Sequence, residues 1–240
     1  MFYTTNAIVL SKLKYRDNDL IVSCYTEDFG VLSFLLRGVL KSKKGSAKTA
    51  YFQWLSQIQI VIDYKPNRTL HTIKDVKINE FYISLHTQVV KSTISMFLAE
   101  VLVMSLKEEE ANQELFQFLT EGLNWVDKNE NVANFHLYFL FQLTRYLGFF
   151  PDFTHSNQYK YFNLTSGSFE PQSTSVYSVS GEEFVVLKSL FGIKFDDLAT
   201  IKISSMQRKN FLEMLMLYYE LHLGHFKKPK SLDIFSQIFN

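Results

Sequence analysis

The hydrophobic period of the chain changes from two residues to about 3.6 near residue 80, and this change constrains the fold more than any other feature. Before it, short runs alternate apolar with polar residues, as half-buried β-strands do. Strands are predicted at residues 5–13, 20–26, 31–37, 52–64 and 70–78. Five strands without a helical period favour a small closed barrel, and an OB-fold and an SH3-like barrel fit this pattern nearly equally well.

After the change, apolar residues recur at helical spacing. The pattern predicts helices that end near residues 106, 127, 148, 191, 224 and 239. The acidic run Lys107–Glu110 suits the first turn of the second helix, where the helix dipole is positive. Ser180 and Ser204 stand three residues before a Glu or Gln, the spacing of a capping box. The predicted fold class is α+β, with an OB-fold barrel in residues 1–80 and an all-α domain in residues 81–240.

Charge is distributed unevenly. The formal net charge is +1, but residues 1–80 contain more Lys and Arg than Asp and Glu, whereas the remainder is acidic overall. A basic N-terminal part indicates a polyanionic partner. The densest basic stretch follows the third predicted strand, in a segment with the Gly and Ser residues of a loop; it contains Arg37, Lys41, Lys43, Lys44 and Lys48. With nearby Lys14 and Arg16 it is a candidate phosphate-binding site, although a solvated surface loop has the same composition.

Cysteine content and hydropathy indicate the compartment in which the protein is expected. Cys24 is the only cysteine, so no intramolecular disulfide is possible and nothing indicates an oxidising compartment. The N-terminal residues lack the features of a signal peptide. Polar residues interrupt the most apolar segment, residues 132–150, which is too polar for a membrane span. We expect a soluble cytoplasmic protein without membrane attachment.

The sequence offers little catalytic chemistry. A metal-dependent nuclease needs several converging carboxylates, but only two pairs stand out, both in turn-like sequences: Asp17/Asp19 and Asp196/Asp197. His222 and His225 are separated by a glycine that breaks the helix, and no third ligand lies nearby. We therefore expect no enzymatic activity, no catalytic residue and no metal ligand. A metal-dependent nuclease is kept as an alternative.

Four stretches share an order and spacing with one known family. They are residues 4–43, Tyr51–Leu55 (YFQWL), Tyr146–Pro151 (YLGFFP) and Tyr218–Ile234 (YYELHLGHFKKPKSLDI). Together they resemble the RecO family of bacterial DNA repair proteins over nearly the whole chain. The resemblance implies an N-terminal OB-fold followed by a helical domain, in agreement with the pattern of the residues.

The resemblance also implies a function. Such proteins are non-enzymatic recombination mediators that bind single- and double-stranded DNA, anneal complementary strands and work with RecR. They act on DNA coated by the single-stranded-DNA-binding protein and so assist loading of RecA. A groove between helices is expected to bind the acidic C-terminal tail of that coating protein through Arg145, Lys227, Lys228 and Lys230. The alternative is a general OB-fold module for single-stranded nucleic acid without a mediator role.

The chain departs from the family in one segment. Many members have a four-cysteine zinc site after the position of Pro151, whereas residues 151–179 contain no cysteine. We expect no cofactor, and instead an irregular segment with one small hairpin. Aromatic packing would stabilise it, through Phe153, Tyr159, Phe162 and Phe169.

Overall fold

The structure, a computed structural model, describes residues 1–41, 49–106 and 110–239. The chain divides into two compact units, Met1–Lys128 and Asn129–Asn240. Lys43, Lys44 and Lys48 of the predicted phosphate-binding loop lie outside the described residues.

The first unit contains a five-stranded antiparallel sheet in the order β3-β2-β1-β4-β5. Its strands are β1 (Phe2–Tyr15), β2 (Asp19–Thr26), β3 (Gly30–Leu36), β4 (Gln57–Asp63) and β5 (Thr72–Ile78). Buried and less buried residues alternate along β2, β3 and β4, which confirms the predicted period of two. The buried faces form one core, which includes Val22, Cys24, Phe34, Ile58, Ile60 and Ile62.

The two edge strands of this sheet approach each other just before β5. Phe34 and His71 form a parallel bridge. The Leu35 N–H donates to the His71 carbonyl at 3.0 Å, and the His71 N–H donates to the Ser33 carbonyl at 2.8 Å. Five strands whose edges meet at one point fit the partly open barrel of an OB-fold. The helices that follow complete the predicted α+β layout.

The fourth strand is shorter than predicted, because it begins at Gln57 and not at residue 52. Leu55 has a left-handed backbone with φ of 59°. The backbone of Val9 in β1 bonds to both residues of this segment: its carbonyl accepts from the Leu55 N–H at 2.7 Å, and its N–H donates to the Ser56 carbonyl at 3.0 Å. The chain therefore bends here. A strand from residue 52 would place Trp54 on the same face as Ile58, Ile60 and Ile62, which are buried, but Trp54 is 42% exposed.

Among its described residues the first unit also contains two long helices, α1 (Val89–Ser105) and α2 (Gln113–Lys128). The prediction that the acidic run Lys107–Glu110 forms the first turn of α2 is wrong for Glu110, because the helix starts three residues later; Lys107–Glu109 lie outside the described residues. Asn112 provides the N-terminal hydrogen bond, since its Oδ1 accepts from the Leu115 N–H at 2.9 Å.

The chain between β5 and α1 is fixed by Asp127 of α2. This buried carboxylate accepts hydrogen bonds from three consecutive backbone N–H groups, at 2.9 Å, 2.8 Å and 2.7 Å, from Ile83, Ser84 and Leu85. The buried Lys91 ammonium donates to the Ser84 Oγ and to the Asp127 carbonyl, both at 2.7 Å. A buried carboxylate is tolerated when its oxygens are hydrogen-bonded in this way.

The second unit contains four α-helices within its described residues: α3 (Phe135–Tyr146), α4 (Glu182–Ser189), α5 (Ser205–His222) and α6 (Leu232–Phe239). A 3₁₀ helix, Phe195–Ala199, precedes α5. α3 is buried on most sides, and the Tyr219 hydroxyl of α5 donates to its Leu140 carbonyl at 2.8 Å. None of the described helices is long and apolar enough to cross a membrane.

One of the two predicted capping boxes exists. Ser204 accepts from the Gln207 N–H at 3.2 Å, while Gln207 Oε1 accepts from the Ser204 N–H at 2.9 Å. The prediction at Ser180 is wrong: the residue before α4 is Gly181, with φ of 72° and no side-chain cap. A left-handed backbone at this position favours glycine and places Ser180 outside capping geometry.

Residues 151–179 contain the predicted hairpin and one further strand. β6 (Tyr161–Asn163) pairs with β7 (Ser168–Glu170) and with β8 (Ser178–Val179). The Phe169 ring lies 5.1 Å from the rings of both Phe153 and Phe162. Three of the four predicted aromatic residues thus pack together, whereas the Tyr159 ring lies 5.1 Å from His155.

Candidate nucleic-acid interface

The turn between β1 and β2 and the segment after β3 form two walls of a groove. The Asp19 carboxylate accepts a hydrogen bond from the Gly38 N–H at 2.8 Å, and the Asn18 carbonyl accepts one from the Leu40 N–H at 3.0 Å. Gly38 has φ of 67°, which glycine adopts without strain. These bonds fix the start of the basic segment against the β1–β2 turn.

The groove has a volume of about 720 Å³. Three connections contribute to it, because Leu70 from the β4–β5 connection joins the two walls. Oligonucleotides bind OB-folds on the face of strands 2 and 3 and at the loops after strands 1 and 4. The groove lies at this position, lined by Tyr15, Arg16, Asp17, Asn18, Asp19, Leu35, Arg37, Gly38, Lys41 and Leu70.

Three of the predicted phosphate-binding residues are brought together here, namely Arg16, Arg37 and Lys41. All three are exposed, and the Arg16 guanidinium lies 5.2 Å from the centre of the Tyr15 ring. Two carboxylates share the groove. The Asp19 carboxylate accepts from the Gly38 N–H and so has a structural role, but it keeps its charge, and both Asp17 and Asp19 oppose a phosphate in the groove.

Lys14 is exposed on β1 but is not among the residues that line this groove. It pairs with Leu20 across the β1–β2 ladder, two residues before the turn. The structure therefore gathers three of the seven predicted DNA-binding residues, leaves a fourth beside them, and does not describe the other three.

A second cavity, of about 560 Å³, shares Leu35 and Arg37 with the groove. It lies between the end of β3 and β5, and adds Lys74 together with the rings of Tyr51 and Phe52. Sequence reasoning missed Lys74 because the approach of β5 to β3 depends on the bridge at His71, which no local pattern encodes. The one indication available from sequence was the predicted OB-fold itself, because its loops after strands 1 and 4 come together at the nucleic-acid site.

The predicted peptide-binding cations lie in the second unit. The Arg145 guanidinium, in the last turn of α3, lies 3.9 Å from the centre of the Phe150 ring. Three exposed lysines follow α5: Lys227, Lys228 and Lys230. Among the described residues no hydrogen bond or ring contact joins Arg145 to these lysines, so their common groove stays a prediction.

The candidate catalytic groups have structural contacts. The His222 ring stacks on Phe149 at 5.1 Å, and its Nε2 lies 2.9 Å from the Leu164 carbonyl. The Asp197 carboxylate accepts from the Lys194 N–H at 2.8 Å. Within residues 1–41, 49–106 and 110–239, no group of three or more His, Cys, Asp or Glu residues is placed to hold a metal ion.

Comparison with known proteins finds a matching family model for each of the two parts of the chain. Residues 1–82 match the family model described as recombination protein O N terminal, and residues 86–233 match recombination protein O C terminal. The chain is 43% identical over 239 residues to the DNA repair protein RecO of Christiangramia forsetii, covering 100% of both chains. It is 40% identical over 236 residues to that of Flavobacterium psychrophilum, with 98% of each covered, and 36% identical over 244 residues to that of Bacteroides fragilis, with 100% of each covered.

Proposed function

The chain belongs to the RecO family of DNA repair proteins, and from this premise we propose that it is a non-enzymatic, DNA-binding recombination mediator. It binds single- and double-stranded DNA and anneals complementary strands. On single strands coated by the single-stranded-DNA-binding protein it assists recombinase loading. Family membership supports the broad role in DNA repair and recombination; the individual steps are the content of the proposal.

The observation that carries the proposal is the groove of about 720 Å³ at the OB-fold's nucleic-acid position. Arg16, Arg37 and Lys41 reach it from two different connections. Phosphate contacts by Lys and Arg release counterions and supply affinity without reading bases. Binding that is independent of sequence suits a protein that must act on any broken strand.

The basic residues that follow Lys41 in sequence support a longer DNA path. Lys41 is the last described residue before residues 42–48, which include Lys43, Lys44 and Lys48. These lysines add phosphate contacts in the proposal. The second cavity, which adjoins the groove at Leu35 and Arg37 and includes Lys74, extends the positive surface.

Protein partners are assigned to the second unit. The tail of the single-stranded-DNA-binding protein is expected to be acidic with an aromatic end, so its site needs a cation beside an apolar surface. Arg145 above Phe150 offers such a combination, and Lys227, Lys228 and Lys230 supply further charge. RecR is a further partner, and RecA is assisted indirectly through the coated DNA.

Annealing of coated strands tests the mediator role. Two complementary oligonucleotides, one labelled with a donor dye and one with an acceptor, are saturated with the cognate coating protein and mixed with this protein. We expect annealing well above the rate without it. Annealing of bare strands but not of coated strands would instead identify a general single-strand-binding module.

A parallel incubation with Mg²⁺ and no partner strand tests for cleavage. The proposal predicts intact oligonucleotides on a denaturing gel. Mg²⁺-dependent shortening of the strands would contradict the non-enzymatic assignment.

A further inference from the structure

Trp54 is an exposed aromatic side chain on a well-fixed backbone. Its indole is 42% exposed. The His86 Nε2 lies 2.9 Å from the Trp54 carbonyl, and the Tyr82 hydroxyl donates to the Leu55 carbonyl at 2.9 Å. With the Leu55 N–H bonded to Val9, the backbone is held on both sides of the ring. The backbone that carries the indole is therefore fixed, and the ring itself has only two side-chain torsions, so its use in binding costs little entropy.

A cavity of about 500 Å³ lies beside the indole, a size suited to a small organic group. Burial lowers the pKa of His86, so the ring is neutral at pH 7, and its Nε2–H tautomer donates to the Trp54 carbonyl. Among the described lining residues Lys12 is the one permanent charge, and none is acidic. The lining consists of Lys12, Thr49, Ala50, Gln53, Trp54, His86, Ser92, Thr93, Ser95 and Met96.

Small side chains of α1 also line the cavity. The Ser92 and Thr93 hydroxyls donate to the Val89 carbonyl at 3.0 Å and 2.8 Å, and the Ser95 hydroxyl donates to the Lys91 carbonyl at 3.0 Å. Their hydrogens are thus used within the helix, while oxygen lone pairs stay available as acceptors. A ligand with a flat ring, N–H groups and a nearby negative charge fits this cavity. The ring can stack on the indole, the N–H groups can donate to the hydroxyl oxygens of α1, and the negative charge can contact Lys12.

Exposed cations connect this cavity to the groove. Lys12 lines the cavity, Arg16 lines the groove, and Lys14 stands between them on β1. Lys12 and Lys14 lie two apart on β1, hence on the same face and about 7 Å apart, and Arg16 follows in the β1–β2 turn. This spacing is comparable with that of successive phosphates in an extended single strand, so one backbone can follow the lysines from the groove to the cavity.

We propose that the cavity beside Trp54 receives one base of single-stranded DNA, which stacks on the indole while Lys12 and Lys14 contact the neighbouring phosphates. The proposal rests on the DNA-binding function proposed above and extends its site beyond the groove. Stacking accepts any base because every base has a π-face. The cavity therefore adds affinity for single strands over duplex without adding sequence preference.

The experiment uses the two tryptophans of the chain, at positions 54 and 125. The W125F variant leaves Trp54 as the only indole. This full-length variant is titrated with oligothymidylate, while the indole fluorescence and its quenching by acrylamide are recorded. Anisotropy of a dye-labelled oligonucleotide reports binding independently. We expect saturable quenching and loss of acrylamide access at the same DNA concentration at which anisotropy saturates.

A substitution series separates stacking from a structural effect. Trp54→Ala should weaken binding of oligothymidylate by about tenfold, and Trp54→Phe should restore most of the affinity. Neither should change the affinity for an abasic strand of the same length. Phe81→Ala is the matched control, because Phe81 is an aromatic residue of the same unit that is 80% exposed and lines none of these cavities.

The outcomes distinguish this site from the proposed function. If anisotropy reports binding but Trp54 stays accessible and Trp54→Ala binds like the parent, the base site is wrong and DNA binding stands. A surface that serves a protein partner would give this same result. If no oligonucleotide binds at all, DNA binding itself fails and the base site fails with it.

Discussion

At the scale of single residues, the buried carboxylate of Asp127 joins the chain between β5 and α1 to α2. Burial by itself would raise its pKa, but the hydrogen bonds from the Ile83, Ser84 and Leu85 N–H groups outweigh this, so the pKa is lowered. The ionised form is thus the one that the fold requires. Loss of the negative charge would leave the three backbone N–H donors facing a neutral side chain.

We predict that Asp127→Asn lowers the free energy of unfolding by about 1–3 kcal/mol at neutral pH. Because the folded pKa is depressed, this stabilisation is complete above the unfolded pKa of about 3.9 and is lost as pH falls through the lower folded value. The difference between parent and variant should therefore shrink in acid. Urea unfolding at several pH values measures it.

The control is Asp28→Asn, since Asp28 is an exposed carboxylate of the same unit. It should unfold like the parent at every pH. A constant difference between Asp127→Asn and the parent down to the lowest pH would show that the charge of Asp127 is not what stabilises the fold.

Gly167 gives a second prediction for a single residue. Its φ is 65°, and a Cβ built there lies 2.7 Å from the Tyr218 hydroxyl oxygen. That hydroxyl is buried and donates to the Phe149 carbonyl at 2.7 Å, so it cannot move without losing a bond. Gly167→Ala should destabilise the protein by about 2–4 kcal/mol through strain and this lost bond.

Gly192 provides the matched control. Its φ is 76°, yet nothing lies within 4 Å of the Cβ position. Gly192→Ala thus reports the backbone cost alone, of roughly 1 kcal/mol. Equal shifts of the melting temperature in the two variants would exclude a steric role for Tyr218.

At the scale of elements, the sheet β6–β8 shows how aromatic packing and hydrogen bonds stabilise a small segment. Burial by itself would raise the pKa of Glu170, but hydrogen bonds from Ser178, Thr174 and Asn163 outweigh this and lower it. Phe169 lies against Phe153, Phe162 and also Phe184, at 5.4 Å. These contacts give the segment a core of its own.

We predict that Phe169→Ala costs about 3–5 kcal/mol of stability, because it removes a buried ring. Val176→Ala in the same segment should cost nearly nothing, since Val176 is 93% exposed. Thermal unfolding measures both. A chelator should leave the melting temperature of the parent unchanged, and elemental analysis that finds one zinc per chain would contradict this account.

The elements that sequence predicted well are those whose burial follows a simple period. Strands β1, β2, β3 and β5 were predicted within three residues at each end. The fourth failed at its start because the left-handed Leu55 and its pairing with Val9 depend on a partner far along the chain. The predicted cap at Ser180 failed for a similar reason, since it was decided by the backbone of Gly181.

The candidate site was predicted in part. Charge density alone selected Arg16, Arg37 and Lys41, which line one groove. The sequence did not reveal Lys74 or the cavity at Trp54, because both depend on contacts between distant strands and helices. Exposure of Trp54 in particular contradicts its place in an alternating run, and only the bend at Leu55 explains it.

At the scale of the whole molecule, the proposal assigns DNA to the first unit and the acidic protein tail to the second. The two assignments rest on separate sets of cations, namely Arg16, Arg37 and Lys41 for DNA, and Arg145, Lys227, Lys228 and Lys230 for the tail. A mediator needs both activities on one chain, because it must hold DNA while it engages the protein that coats it.

The central claim is that the groove of the first unit holds DNA phosphates, and the salt dependence of single-strand affinity tests it most directly. Two triple-alanine variants remove three positive charges each, one at Arg16, Arg37 and Lys41 and the other at Arg145, Lys227 and Lys230. Each phosphate contact contributes a slope of roughly −0.7 on single strands. The account predicts that the first variant loses about two units of slope and keeps its affinity for the tail peptide, while the second keeps the slope and loses the peptide. A folded first variant that binds single strands with an unchanged slope would contradict it.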